Sequence, residues 1–248
     1  MGGGESGTWD ALARFEFGAG LLHVRSDLPS ATDGSFTPWS DRYHGLVLRV
    51  PGVRRVRRFE LVGAFASGEP GVSGASGASR ASALSDVPAA DDAADLPEPA
   101  RFLTLYDLKH PDVLDTPEFQ GLTAIGSTAP LELTAELDGI RLVCRERRRW
   151  PAVSVARLFP AGEKLLHLAV RGDDRAVARW LDSDAVPALL PSVGAVGVRW
   201  FDAGAGRHVV LCELQGPIWP LPPTVTHDLG PAVWSAYRQD YVRDAPGE

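Results

Sequence analysis

Alternation of apolar and polar side chains predicts a series of short strands separated by helices. Leu21 to Arg25 alternates in this way, which is typical of a strand with one buried face. From Thr37 to Val50, apolar residues recur at three- and four-residue spacing, which predicts an amphipathic helix. Further strands are predicted at 53–61, 101–108 and 140–147, with a short helix before the last. This part of the chain therefore reads β-α-β-β-α-β.

The same residues return in the second part of the chain, in the same order. Leu21-Leu22-His23 returns as Leu165-Leu166-His167, Trp39-Ser40-Asp41 as Trp180-Leu181-Asp182, Arg58-Phe59-Glu60 as Trp200-Phe201-Asp202, and the strand from Arg101 to Leu108 as Arg207 to Leu214. Each match alone is weak, but four in one order indicate an internal repeat. A final helix is predicted from about Leu229 to Tyr241.

The element order is that of a ferredoxin-like unit, with helices on one face of a four-stranded sheet. We expect a tail at 1–19, a first ferredoxin-like repeat at 20–150, and a second, degenerate repeat at 151–248. The first repeat contains a stretch at 63–99, rich in Gly, Ala, Ser and Asp, which predicts a flexible loop. Because each sheet must bury its open face, the predicted fold class is α+β, with the two tandem repeats packed sheet to sheet as an intramolecular α/β barrel.

Composition narrows the choice of partners. The net charge of −7 disfavours nucleic acid and anionic membranes. No signal peptide and no apolar run of membrane-spanning length is visible, so a cytoplasmic monomer or homodimer is expected. Two clusters of arginine, at 54–58 and 145–149, fall on the edge strands of the predicted sheets, where charge blocks aggregation. The spacing of histidine and cysteine predicts no metal site.

His44 is the leading candidate for chemistry. It follows Trp39 and Tyr43 on the predicted helix, at the border between the buried and the wet face. An imidazole there can serve as a general acid or base, and Asp41, one turn earlier, can orient it. The alternative is a structural histidine that bonds to the backbone. The matching position of the second repeat is Ala185, which favours a single working cleft in the first repeat.

A second candidate group lies on predicted strands. His23 and Arg25 share one side of the first strand, and Tyr106 is on the strand expected beside it. These three residues are predicted to hold an enolate or carboxylate of the substrate. Trp39 and Tyr43 from the helix are also predicted to bind substrate. A structural role for His23, matched by His167, is the alternative.

The residues from Trp39 to His44, Val50-Pro51-Gly52-Val53 and the strand ending Leu105-Tyr106-Asp107-Leu108 resemble the dimeric α+β barrel superfamily, in particular its EthD-like and polyketide-cyclase-like members. The resemblance implies a site that takes a small organic molecule. It does not choose among the activities of that superfamily.

Three functions are therefore open. The first is an enzyme without cofactor that moves a proton on an aromatic or polyketide-like substrate, as a cyclase, isomerase or decarboxylase. The second is a haem- or oxygen-dependent oxidoreductase of the same fold. The third is a non-catalytic protein that binds a small molecule.

Overall fold

The computed structural model describes residues 19–27, 33–66, 99–126, 141–150, 164–192, 195–214, 229 and 232–246. The strands are β1 (Gly20–Ser26), β2 (Val53–Ala66), β3 (Phe102–Leu108), β4 (Arg141–Trp150), β5 (Lys164–Arg171), β6 (Ala195–Asp202), β7 (Arg207–Leu214) and β8 (Ala232–Asp244). The α-helices are α1 (Asp33–Val47), α2 (Pro117–Gly126), α3 (Asp174–Trp180) and α4 (Val186–Ser192). A 3₁₀ turn, Pro111–Asp115, precedes α2, and a π-helical turn, Leu181–Ala185, joins α3 to α4.

The eight strands form one closed antiparallel barrel, in the order β1-β3-β2-β8-β5-β7-β6-β4 around the ring. The expected α+β fold, with two ferredoxin-like sheets packed face to face, is wrong. Hydrogen bonding continues across the two places where the sheets were expected to end. Because the sheet closes on itself, these strands have no free edge. Its inner face is enclosed by the barrel itself, so no second sheet is needed to cover it.

Two antiparallel pairings between the halves close the ring. β2 pairs with β8 from Arg55 opposite Asp244 to Ala66 opposite Val233, and β4 pairs with β6. The arginine clusters therefore do not lie on edge strands, and their interpretation as guards against aggregation is wrong. Arg57 points into the barrel, whereas Arg58, the next residue, points outward beneath α1.

The predicted final helix is strand β8. The spacing of Trp234, Tyr237 and Tyr241 fits one helical face, but in the strand these residues divide between the two faces. Trp234 joins the cluster outside the barrel, and Tyr237 joins the cluster inside it. Pairing with β2 and β5 overrides the local pattern. The predicted tail at 1–19, apart from residue 19, and the central part of the predicted loop, 67–98, lie outside the described residues.

The inside of the barrel, here called the lumen, is filled by alternate residues of the strands. Its apolar part includes Leu21, Phe59, Leu103, Leu105, Leu165, Phe201, Val209, Leu211 and Tyr237. Buried ion pairs cross it. Arg57 Nη1 donates to Glu213 Oε1 at 2.9 Å, and Arg199 Nη1 donates to Asp107 Oδ1 at 2.7 Å. Burial alone would raise the pKa of Asp107, but Arg199 and Arg57 hold that pKa below its usual value.

Two histidines meet inside the barrel. β1 and β5 stand opposite each other in the ring, and Nε2 of His23 lies 2.9 Å from Nε2 of His167. Burial lowers the pKa of His23 to about 3 and that of His167 well below its usual value. Both rings are therefore neutral at neutral pH, and the pair tethers opposite walls of the lumen.

Close packing at the start of β1 gives a testable expectation. A Cβ on Gly20 would lie 2.6 Å from the backbone nitrogen of Pro111 and 2.8 Å from the carbonyl carbon of His110. Gly20→Ala is expected to lower the free energy of unfolding by about 1–3 kcal/mol, because backbone must move to admit the methyl group.

Gly121 in α2 provides the matched control, since nothing lies within 4 Å of the position that a methyl group would take there. Gly121→Ala is expected to stabilise by up to about 1 kcal/mol through helix propensity. Urea unfolding of both variants measures the contrast. Equal effects of the two substitutions would contradict the close approach at Gly20.

Candidate functional site

Helix α1 covers the outer face of the barrel over β1, β3 and β2. Val47 and Leu48 pack there with Leu22, Val56 and Tyr106 in one apolar cluster. His44 lies one turn before the end of this helix and is 2% exposed, so it is buried and does not lie at the border that its sequence position suggests. The helix thus holds an imidazole between itself and the barrel wall.

His44 lies among one hydroxyl and two phenol rings. Its Nε2 is 3.3 Å from Ser40 Oγ, one turn earlier. The ring meets Tyr106 edge-on at 5.7 Å between centroids, and Tyr241 of β8 at 5.1 Å. Its Nδ1 is buried and has no hydrogen-bond partner among the described residues. One ring nitrogen is therefore anchored and the other faces an aromatic environment.

Arg58 is the charged group of this cluster. Its Nη1 donates to Ser40 Oγ at 3.1 Å and to Asp41 Oδ1 at 3.3 Å, and its Nε donates to Asp240 Oδ2 at 2.9 Å. Asp41, predicted to orient His44, contacts Arg58 instead, and Ser40 is the residue that contacts the imidazole. Burial lowers the pKa of His44 to about 3, and the positive charge of Arg58 acts in the same direction. His44 is therefore neutral at neutral pH.

The structure divides the other predicted site residues between two places. Trp39 and Tyr43 stack on each other at 5.4 Å on α1, both partly exposed, beside the cluster that contains Tyr106. His23 and Arg25 point into the lumen, on the other side of the barrel wall. Tyr106 pairs with Leu22 and shares its outward face, and successive residues of β1 alternate faces, so the wall separates His23 and Arg25 from Tyr106. The predicted group of His23, Arg25 and Tyr106 is not assembled.

No protein-family model matches the chain, and no curated protein matches it in sequence. Several solved structures share its fold, and two of them are described here. One is described as an anthrone oxidase-like protein, with a TM-score of 0.50 and 8% identity over 94% of this chain and 95% of the other. The second is named "Putative monooxygenase" and comes from Fusobacterium nucleatum subsp. nucleatum, with a TM-score of 0.50 and 5% identity over 94% of this chain and 98% of the other. The chain therefore has the barrel fold of these proteins.

The matching space in the second half of the barrel is filled by apolar side chains. The positions that match Ser40, His44, Arg58 and Tyr106 hold Leu181, Ala185, Trp200 and Cys212. All four belong to one buried cluster, in which the rings of Trp180 and Trp234 lie 6.4 Å apart. At these matched positions, only the first half carries a base and a cation, so the region between α1 and the barrel wall is the candidate site.

Sequence reasoning missed Ser40, Arg58 and Tyr241. Arg58 falls on a predicted edge strand, which depends on the open sheets. Tyr241 falls on a helix that is predicted from the spacing of its aromatic residues. The sequence does carry a signal for Arg58. Trp200 is the residue that matches Arg58 in the repeat, so a charged residue in the first half corresponds to an apolar one in the second. Among the described residues, no group of three His, Cys, Asp or Glu side chains is arranged to hold a metal ion. Within the same ranges, no helix has the length and apolarity needed to cross a membrane.

Proposed function

We propose that the chain is a small-molecule enzyme in which His44 removes a proton from an aromatic, polyketide-like substrate bound between α1 and the barrel. The observation that carries the proposal is the unpartnered Nδ1 of a neutral, buried imidazole between the rings of Tyr106 and Tyr241. An affinity with the EthD-like and polyketide-cyclase-like proteins is part of this proposal.

Ser40 and Arg58 complete the proposed machinery. The hydroxyl oxygen of Ser40 has two acceptor positions, so it can accept from Arg58 Nη1 and from a protonated His44 Nε2 together. That arrangement leaves the lone pair on Nδ1, directed at the substrate. A neutral imidazole with its second nitrogen anchored is the usual form of a histidine base.

The low pKa of His44 is compatible with this role. Burial keeps water from protonating His44, so the base stays available across the neutral range. When the substrate loses its proton, the negative charge that forms beside the ring stabilises the imidazolium. The Arg58 guanidinium holds the Ser40 hydroxyl that anchors the imidazole.

The names of the two structural neighbours support a specific fate for the carbanion. In the oxidation of an anthrone, a ring CH₂ group and O₂ become a ring C=O group and water. The C–H bond breaks heterolytically at His44, O₂ accepts the electrons, and one oxygen atom leaves as water. Cyclisation, isomerisation or decarboxylation begins from the same proton removal. A visible haem band in the purified protein would favour the oxidoreductase that uses a histidine as axial ligand.

Two assays with anthrone separate the steps. Under nitrogen in D₂O, exchange of the ring CH₂ protons followed by NMR measures proton removal alone. In air, oxygen uptake measures the complete oxidation. His44→Gln is expected to lower both rates by about a hundredfold to ten-thousandfold, the usual contribution of a general base.

His208→Gln is the matched control, because His208 is also buried but lies in the second half, where it contacts Trp200 Nε1 at 3.2 Å and the Gly172 carbonyl at 3.0 Å. This variant is expected to keep the parent rates per folded molecule. Parent rates in a folded His44→Gln protein would overturn the proposal. Exchange of the CH₂ protons without oxygen uptake would support proton removal by the protein and would contradict the oxidation.

A further inference from the structure

Strand β4 lies beside β1, and the matching strand beside β5 is β8. These two strands carry different residues at a position that matters for the site. Leu22 and Leu166 match in the repeat, so Val24 of β1 matches Leu168 of β5. The residue paired with Val24 is Arg141 of β4, and the residue paired with Leu168 is Trp234 of β8. Trp234 is 1% exposed and fills the space under its helices, whereas Arg141 is exposed.

The cluster of the first half is consequently open on this side. Val24, Trp39 and Tyr43 are each partly exposed, whereas Leu168 and Trp180 at matched positions are buried. Leu142 and Cys144 of β4 point into the lumen, so Arg141, at the alternate position, points outward, along the same face as Val24.

Arg141 differs in its charge environment from the arginines near the other end of β4. On the same strand, Arg147 pairs with Asp202 at 2.7 Å and Arg148 with Asp182 at 2.7 Å. Within the ranges that the structure covers, no acidic side chain pairs with Arg141. Its charge instead reaches the phenols of the site. Burial raises the pKa of Tyr43 and that of Tyr106, and the positive charge of Arg141 opposes both rises.

Arg58 cannot take this role as readily, because Asp240 and Asp41 already accept hydrogen bonds from it. Arg141 is therefore an exposed cation on the outer face of the barrel, next to Val24 at the side where this cluster is partly exposed. A guanidinium in that position matches a carboxylate, which it can bind through two parallel hydrogen bonds.

We propose that Arg141 binds a carboxylate on the substrate, so that the substrate class is an aromatic carboxylic acid whose ring lies against Tyr43 and Tyr106. The inference rests on the proposed function, because it assumes that the cleft beneath α1 holds the substrate. It adds the recognition of an acidic substituent to the proton removal at His44.

Binding of two inert probes tests the inference without any turnover. Anthraquinone-2-carboxylate and its carboxamide have the same shape and differ in charge, and calorimetry at low salt gives the Kd of each. The parent protein is expected to bind the carboxylate about fivefold more tightly, a preference that weakens in high salt. Arg141→Gln should abolish the preference, and Arg141→Lys should retain part of it.

Arg145→Gln is the matched control, since Arg145 is exposed and lies on the same face of β4, farther along the strand and opposite Gly20. This variant should keep the full preference. A parent protein without preference, or an Arg141→Gln protein that keeps it, would overturn the inference while leaving the anthrone assays untouched. A preference that depends on Arg141 in a protein that fails those assays would support the carboxylate site and reject the proposed reaction.

Discussion

Asp107→Asn is expected to lower the free energy of unfolding by about 3–5 kcal/mol, the usual cost of removing one partner of a buried ion pair. Asp107 is 2% exposed and contacts two cations, Arg199 at 2.7 Å and Arg57 at 3.5 Å. The amide keeps the shape of the carboxylate but not its charge. Glu213 and Glu146 then remain as the acidic partners of two guanidinium groups inside the barrel.

Asp182→Asn provides the comparison, because Asp182 forms an ion pair of similar length, 2.7 Å to Arg148, with both side chains about half exposed. An exposed pair of this kind contributes at most about 1 kcal/mol. Urea unfolding at neutral pH measures both variants. Similar losses for Asp107→Asn and Asp182→Asn would show that the crossing ion pairs do not stabilise the barrel.

Acid is expected to destabilise the protein through its buried histidines. The pKa of His23 and that of His44 fall to about 3 on folding, and the pKa of His167 is lowered as well. Below about pH 6.5 these histidines bind protons in the unfolded chain but not in the folded chain. The free energy of unfolding therefore falls as the pH falls. Between about pH 7.5 and pH 5, His23 and His44 each lower the free energy of unfolding by about 2 kcal/mol, and His167 lowers it further.

Chemical unfolding at these two pH values measures the loss. His44→Gln removes one of the groups that titrate, so its decrease should be smaller than that of the parent by about 2 kcal/mol. An equal decrease in the parent and in His44→Gln would mean that His44 is protonated in the folded state.

The sequence was sufficient to find most of the strands and the position of His44, because both depend on local periodicity. It misjudged the burial of His44 for a physical reason. The ring that covers the imidazole, Tyr241, comes from a strand nearly two hundred residues later in the chain, in a segment whose spacing fits a helix. Burial of this kind is a tertiary property.

The closure of the barrel could not be predicted from local patterns either. The edge of a sheet is recognised by charge, and the arginines at 54–58 suggested such an edge. Two of those charges, on Arg57 and Arg58, are neutralised by acids more than 150 residues away, Glu213 and Asp240. Only the assembled barrel shows that a cationic strand is an interior one.

The pairing of β2 with β8 also sets the order of events during synthesis. β2 ends at Ala66, and its partner begins at Ala232, so the nascent chain must hold β2 without one neighbour while the intervening strands are translated. Glu213 leaves the ribosome long after Arg57, so this ion pair cannot form before β7 is translated. Contacts this distant in sequence make closure slow, and the barrel is expected to fold only after translation of β8.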